Sequence, residues 1–309
     1  MTSPLVSICC VTYNHAPFIR KCLDGFLMQQ TTFPVEILIH DDASTDSTDS
    51  IIREYAAKYP DKIFPLFEEE NQYSKPCHKQ LDWYNYERVR GKYIAYCEGD
   101  DYWTDPLKLQ KQVDFMETHL EYSACFHNFH CNDSRSDQVI YPKNYNYLES
   151  QQAGIDVTVD DYFHKHLIQP LTMLFRLSMF SFDWQKQYKY YRDTHEIYHL
   201  LRAGKGYWMN FDGGVYTRHN GGISTSATVE KSRWEEREHI LELYLNTKDK
   251  VLADYLVEIL LWNYDTYVRK NDKRSFHEMM TKYRQVVPRI AMKVYFIIAK
   301  RKFNKSFRR

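Results

Sequence analysis

Three carboxylates stand within four residues at Glu98-Gly99-Asp100-Asp101. Like charges held this close repel unless a cation or a shared proton lies between them. An all-oxygen cluster suits a hard divalent ion, Mn²⁺ or Mg²⁺, better than zinc. Such ions commonly bind together with phosphates, which makes this segment the first place to look for chemistry. The plain alternative is a solvated acidic turn.

Two more polar clusters share its setting, Thr12-Tyr13-Asn14-His15 and His40-Asp41-Asp42-Ala43-Ser44-Thr45-Asp46. Each follows an apolar run. The runs at 5–11, 35–39, 62–67 and 92–97 read as strands. Helices are predicted over 17–30, from Asp46 or Ser47 to about Tyr59, and from about His78 to Arg90. This alternation predicts an α/β fold with a mostly parallel, Rossmann-like central sheet flanked by helices. Ligands of such sheets bind at the carboxyl ends of the strands, where all three clusters fall. No G-x-G-x-x-G follows the first strand and no G-x-x-x-x-G-K-[ST] occurs, which argues against a dinucleotide site and a P-loop. A helix from Asp105-Pro106 to about Thr118 and a strand over 122–126 come next. The polar Tyr/Asn-rich stretch 132–154 reads as a long surface loop. From about Val229 the pattern is mainly helical, with a break at Pro288.

The chain has 309 residues, 43% hydrophobic and 27% charged, which suits a soluble globular protein with a sizeable core. Its 26 tyrosines suit ring-stacking ligands such as nucleotides or sugars, and serve equally well in cores. The 7 cysteines are scattered without a C-x-x-C. An odd count with no leader-like run behind Met1 reads as reduced thiols in a cytoplasm. No apolar run reaches transmembrane length. The formal net charge is zero but unevenly spread: beyond Thr281 there is no acid, while Lys282, Arg284, Arg289, Lys293, Lys300, Arg301 and Lys302 are basic. The apolar run 290–299 ahead of the last three predicts peripheral contact with an anionic inner membrane face; a packed terminal helix with a solvated basic face is the alternative. With no recognised motif, nucleic acid is not expected as a partner.

Taken in order, Val6-Ser7-Ile8-Cys9-Cys10-Val11-Thr12-Tyr13-Asn14, Asp41-Asp42-Ala43-Ser44-Thr45-Asp46-Ser47-Thr48, Glu98-Gly99-Asp100-Asp101-Tyr102-Trp103, Tyr191-Arg192-Asp193 and Val215-Tyr216-Thr217-Arg218-His219-Asn220-Gly221-Gly222 resemble the family 2 glycosyltransferases of the GT-A fold. The resemblance covers roughly residues 4–225. It implies a catalytic domain over 1–225, with a nucleotide-sugar half (1–130) and an acceptor half (131–225), followed by a helical region over 226–309. It further implies an inverting, metal-dependent transfer of a hexose-type sugar. The donor would be a nucleotide sugar, usually a UDP-sugar. The acceptor would be a glycan or lipid-linked saccharide in cell-surface polysaccharide synthesis.

Residue by residue, the resemblance gives nucleotide contacts to Thr12, Tyr13, Asn14, Asp42 and Asp100. Asp42 would accept from the uracil N3–H and Asp100 would meet the ribose. Asp41 would support the loop, and Ser44, Asp46 and Ser47 suit turn and N-cap roles. Asp101 and His219 would hold the metal, with Glu98, Trp103 and Arg218 as donor or acceptor contacts. The chain departs from a simple D-x-D spelling, because Glu98 stands two before Asp100 and Asp101 follows directly. The arginine of Tyr216-Thr217-Arg218-His219 is also shifted by one position. Asp193 would be the catalytic base, and its place at a helix start equally fits an N-cap; Glu196 and His195 are the alternatives. His127 and Asn128 fall at the end of the strand on the acceptor side. Lys75, His78 and Arg88 have no spacing that commits them to phosphate. The rival functions are a nucleotidyltransferase, for which residues 12–20 lack a Gly-rich loop, and a non-catalytic nucleotide- or saccharide-binding protein.

Overall fold

The computed structural model describes residues 3–75, 85–136, 138–141, 154–165, 168–189, 191–222 and 229–306, with side chains of 229–233 and 304–306 excepted. The chain divides into two compact units, Met1–Ser226 and Ala227–Arg309.

The first unit is built on a ten-stranded mixed sheet. Strand β1 (Val6–Thr12) is buried at every position, as a strand flanked on both edges and covered on both faces must be. It pairs in parallel with β2 (Val35–Asp41) and β4 (Tyr93–Tyr96), and β2 pairs in parallel with β3 (Ile63–Phe67). Beyond β4 comes β9 (Leu174–Arg176), antiparallel to both of its neighbours, β4 and β6 (Tyr122–Asp133). β10 (Lys205–Arg218) then runs parallel to β6. The short β5 (Tyr102–Trp103) and β8 (Ile155–Val157) lie antiparallel on β10, and β7 (Gln138–Ile140) on β6. Two reversals around β9 cancel, so β1, β2, β4, β6 and β10 all point the same way. Their carboxyl ends, Thr12, Asp41, Tyr96, Asp133 and Arg218, therefore lie along one edge.

The β6–β10 ladder is the longest in the sheet. Its register shifts between Met209 and Asp212 and again between Asp212 and Gly214, bringing Arg218 opposite Asp133. This extends the strand read over 122–126 as far as Asp133, and it puts 132–133 and 138–140 of the expected loop in strands β6 and β7. The polar residues from His127 to Asp133 continue the strand because β10 satisfies their backbone. Residues 142–153 of the expected loop lie outside the described residues, as does the start of the helix expected from His78.

Helices α1 (Ile19–Leu27), α2 (Thr48–Lys58) and α3 (Lys108–Thr118) follow their strands as the apolar spacing predicts. In α1 the buried positions are Ile19, Cys22, Leu23, Gly25 and Phe26. A Cβ on Gly25 would sit 2.9 Å from the Trp103 carbonyl, so only glycine lets α1 approach the end of the acidic turn. Asp46, one residue ahead of the N-cap Ser47, supports the start of α2, its Oδ1 accepting from the Thr48 N–H at 2.9 Å. Two further helices among the described residues, α4 (Val159–Lys165) and α5 (Asp193–Ala203), belong to the unit.

Among the described residues the second unit is four helices, α6 (Val229–Thr247), α7 (Lys250–Arg269), α8 (Lys273–Val286) and α9 (Pro288–Ser306). Asp249 and Asp272 cap α7 and α8 through the Val251 and Ser275 N–H groups. Leu243, Leu256, Leu260, Met280, Tyr283 and Val294 are fully buried. No helix among the described residues is long and apolar enough to cross a membrane. The described cysteines are buried and free of disulfides.

Candidate active site

The acidic turn follows β4 directly. Its backbone is tied to β1 by the Gly99 N–H donating to the Val11 carbonyl at 2.9 Å. From below, the thiols of Cys22 and Cys97 reach the Glu98 carbonyl at 3.5 and 3.6 Å. A Cβ on Gly99 would fall 2.7 Å from Thr12 Oγ1 and 3.1 Å from His15 Nδ1. The first loop thus packs on the turn so closely that a side chain at 99 is excluded.

Asp100 is the pivot of the cluster. Its Oδ2 lies 2.9 Å from His219 Nε2 and 3.8 Å from His15 Nε2. Burial works against its charge, but the hydrogen bond from His219 and the nearby imidazole of His15 outweigh it and hold the pKa below the ordinary carboxylate value. Asp101 shows the opposite balance. It is 3% exposed, and burial, then the neighbouring Asp100, push its pKa well up although the Thr217 N–H donates to it at 2.8 Å. Burial likewise lowers the pKa of His15, with Asp100 opposing. Two sets of potential ligand atoms overlap here: Glu98, Asp100 and Asp101; and His15, Asp100 and His219. Within each set the atoms lie within 4.8 Å of one another. Asp101 and His219, the pair expected to hold the ion, are joined through Asp100, the member common to both sets.

The donor set suits a divalent cation such as Mn²⁺, which accepts carboxylate and imidazole together. Four buried polar atoms around the turn support an absent ligand: Thr12 Oγ1, His15 Nδ1, Asp100 Oδ1 and Thr217 Oγ1 have no hydrogen-bond partner. Buried polar groups are normally satisfied, so four orphans on residues that touch one turn mark a place built for something else.

The second loop is a scaffold for the first. Asn14 and Ala43 both adopt positive φ, 54° and 58°. The Asn14 N–H donates to Ser44 Oγ, and its Oδ1 accepts from the Thr45 N–H. Asp41 accepts from the Ser44 N–H and hydroxyl. Asp42, expected at the uracil, is fully buried, and its two carboxylate oxygens accept the Gln72 and Tyr73 N–H groups at 2.7 and 3.1 Å. These bonds hold segment 71–73 against the sheet and leave each oxygen a second lone pair. Tyr13, 41% exposed, stands open at the edge.

Trp103 is not a sugar platform. It is 1% exposed, donates from Nε1 to the Leu171 carbonyl and stacks edgewise on Phe26. Lys108 Nζ lies 3.9 Å over the same ring. Arg88 donates to the Phe64 and Ile39 carbonyls and to Asn85. His127 and Asn128 are likewise buried, His127 Nδ1 resting 2.7 Å from the Asn128 carbonyl. Arg218 is half-buried at the end of β10, and its carbonyl accepts from the Ser134 N–H and hydroxyl.

Asp193 is the first residue of α5, behind an Arg192–His195 capping arrangement in which the Arg192 N–H donates to His195 Nδ1. Burial raises its pKa, the Thr194 N–H and Arg192 opposing. Asp193 is thus not the N-cap itself. Of the alternative bases, Glu196 is buried and accepts the Tyr86 hydroxyl, and His195 is buried in its capping role.

Sequence reasoning passed over His15 and Thr217. Thr217 acts on Asp101 through its backbone N–H, which carries no side-chain signature. His15 was visible as part of a polar cluster, but only the fold brings it to Asp100.

With this geometry in hand, comparison with known proteins is informative. Residues 7–159 match the family model described as "Glycosyl transferase family 2". The uncharacterized protein Rv1520 of Mycobacterium tuberculosis is 35% identical over 246 residues, 76% of this chain and 65% of that protein's length. The chain thus spans less than two thirds of the length of such relatives. The crystal structure of Staphylococcus aureus TarS 1–349 with UDP-GlcNAc superposes with a TM-score of 0.66 at 16% identity, over 94% of this chain and 83% of that one. Mannosyltransferase PcManGT from Pyrobaculum calidifontis, with GDP-Man and Mn²⁺, gives 0.52 at 17% identity, over 96% and 88%. At these identities the structural likeness establishes the fold.

Proposed function

We propose that the chain, whose residues 7–159 match the glycosyl transferase family 2 model, is an inverting, metal-dependent glycosyltransferase using a nucleotide sugar, most simply a UDP-sugar. The observation that carries this reading is the convergence of Thr12, His15, Asp100 and Thr217 on one turn with a polar atom of each left unsatisfied.

The cation would be held by Asp100, with Asp101 or Glu98 on one side and His15 and His219 on the other, and when bound it supplies charge neutralisation for the departing diphosphate. Thr12 offers its orphan hydroxyl to the nucleotide at the end of β1. Tyr13 and Asn14 belong to the same contact, Tyr13 by its exposed ring and Asn14 by fixing the loop. Asp193 would accept the proton of the acceptor hydroxyl. A carboxylate with a raised pKa is the better base for that task. Domain 1–225 divides in this reading into a nucleotide half up to 130 and an acceptor half beyond it. The acceptor is a glycan or lipid-linked saccharide of cell-surface polysaccharide synthesis, and peripheral residence on the cytoplasmic membrane face belongs to the same proposal.

A panel of nucleotide sugars with Mn²⁺, read as release of nucleoside diphosphate, tests this. Metal-dependent release from a UDP-sugar is expected. Release of pyrophosphate from a nucleoside triphosphate and sugar phosphate would support the nucleotidyltransferase instead. Donor binding without turnover on any acceptor would support a binding protein.

A further inference from the structure

Helix α9 has two apolar faces. Ile290, Ala291, Val294 and Ile298 point into the second unit and are buried. Met292, Phe296, Ala299 and Phe303, at i, i+4, i+7 and i+11, form a second line on the opposite side. Met292 is 62%, Phe296 71% and Phe303 63% exposed. Single exposed apolar residues are ordinary, but a line of three large ones along one helix is not.

The flank of this line is basic. Arg289 and Lys300 fall beside Phe296 by helical spacing, and neither they nor Arg284 has an acidic partner among the described residues. Lys293 and Arg301 by contrast are paired with Asp254 and Asp265. A depression of about 470 Å³ between α8 and α9 is lined by His277, Arg284, Met292 and Tyr295, joining the apolar line to an unpaired guanidinium.

We propose that this face of α9 is a docking surface for an anionic lipid bilayer. Phe296, Met292 and Phe303 would enter the interface between headgroups and chains, and Arg289, Lys300 and Arg284 would meet the lipid phosphates. The charge pattern selects this partner. A second copy laid face to face would set these bases against their own kind, because the segment beyond Thr281 contains no acid. The surface deepens the peripheral residence read above, and vesicle binding tests it apart from sugar transfer.

The test uses the full chain and flotation with vesicles of phosphatidylglycerol mixed with phosphatidylcholine, or of phosphatidylcholine alone. Binding to the anionic vesicles, weakened by salt, and none to the neutral ones is expected. Met292→Ser with Phe296→Ser should weaken binding at least about tenfold. Arg289→Gln with Lys300→Gln should weaken it about fivefold per charge. All four positions face outward, so melting temperature should not move. No binding of the wild type to anionic vesicles, or undiminished binding by both variants, would overturn the proposal. So would a dimer in light scattering that Met292→Ser with Phe296→Ser disperses, which would give the face to a second copy.

Discussion

His219 Nε2 lies 2.9 Å from Asp100 Oδ2, across 119 residues of chain. The contact joins the end of β10 to the turn after β4, and it needs every intervening strand in register. It also links the two overlapping ligand sets at the one carboxylate they share. His219→Ala should therefore weaken Mn²⁺-dependent nucleotide binding by about 10- to 100-fold. Titration calorimetry with UDP, with and without Mn²⁺, reads this directly. Metal-dependent affinity equal to wild type would remove His219 from the site.

His15 provides a sharper check, because the motif match did not assign it a role. Its Nε2 stands 3.8 Å from Asp100 and its Nδ1 lacks a partner. His15→Ala should lower Mn²⁺ affinity by about tenfold while leaving metal-free stability nearly unchanged. Thermal shift against Mn²⁺ concentration separates the two effects. A loss of metal-free stability with unaltered metal affinity would make His15 a packing residue.

Asp193→Asn should leave donor and metal binding intact and reduce turnover by about 10²- to 10⁴-fold, the range of a lost general base. Steady-state assays with saturating donor decide it. Turnover at the wild-type level would return the role to Glu196 or dismiss a base from α5.

Gly99→Ala places a methyl 2.7 Å from Thr12 Oγ1 and 2.8 Å from Thr12 Cβ. Either loop must give way, at a cost of about 1–3 kcal/mol. Urea unfolding should show the loss, and donor affinity should fall with it, since the same displacement moves Thr12 and His15.

Lys108 sets a pH dependence unrelated to catalysis. It is fully buried, donates to Gln112 at 2.7 Å, and burial pushes its pKa down to about 7. Below about pH 7 it is charged in both folded and unfolded chains. Above that, only the unfolded chain holds the proton, so its contribution to stability rises with pH toward its ordinary value near 10.5. Lys108→Met should flatten that slope in melts between about pH 6 and pH 9, whatever its net effect on stability. An unchanged slope would show that another group carries it.

Much of this was legible in the sequence. The apolar runs ending at Thr12, Asp41 and Tyr96 announce a sheet, and the polar clusters behind them announce its functional edge. Local signals also found Asp46 at the start of α2 and Pro288 at the start of α9. What escaped depends on partners far away in sequence. β9 is three residues long and forms only because β4 and β6 leave room between them. The polar half of β6 carries no strand signal of its own until β10 lies beside it. Trp103 looks like a stacking platform beside acids, yet the glycine at 25 lets α1 close over it. Asp42 carries the expected residue type, but its hold on the Gln72 and Tyr73 N–H groups depends on backbone some thirty residues away.

The two shifts on either side of Asp212 in the β6–β10 ladder have a consequence for how the chain tolerates change. Downstream of Asp212 and Gly213, every residue of β10 is placed by counting from those shifts. Deleting one residue there would move Thr217 off Asp101 and His219 off Asp100 together, without altering either amino acid. Insertions at the β6–β7 turn, 134–136, leave that count untouched. Lineages of such chains should accordingly vary in length at the hairpin and hold length constant through 209–219.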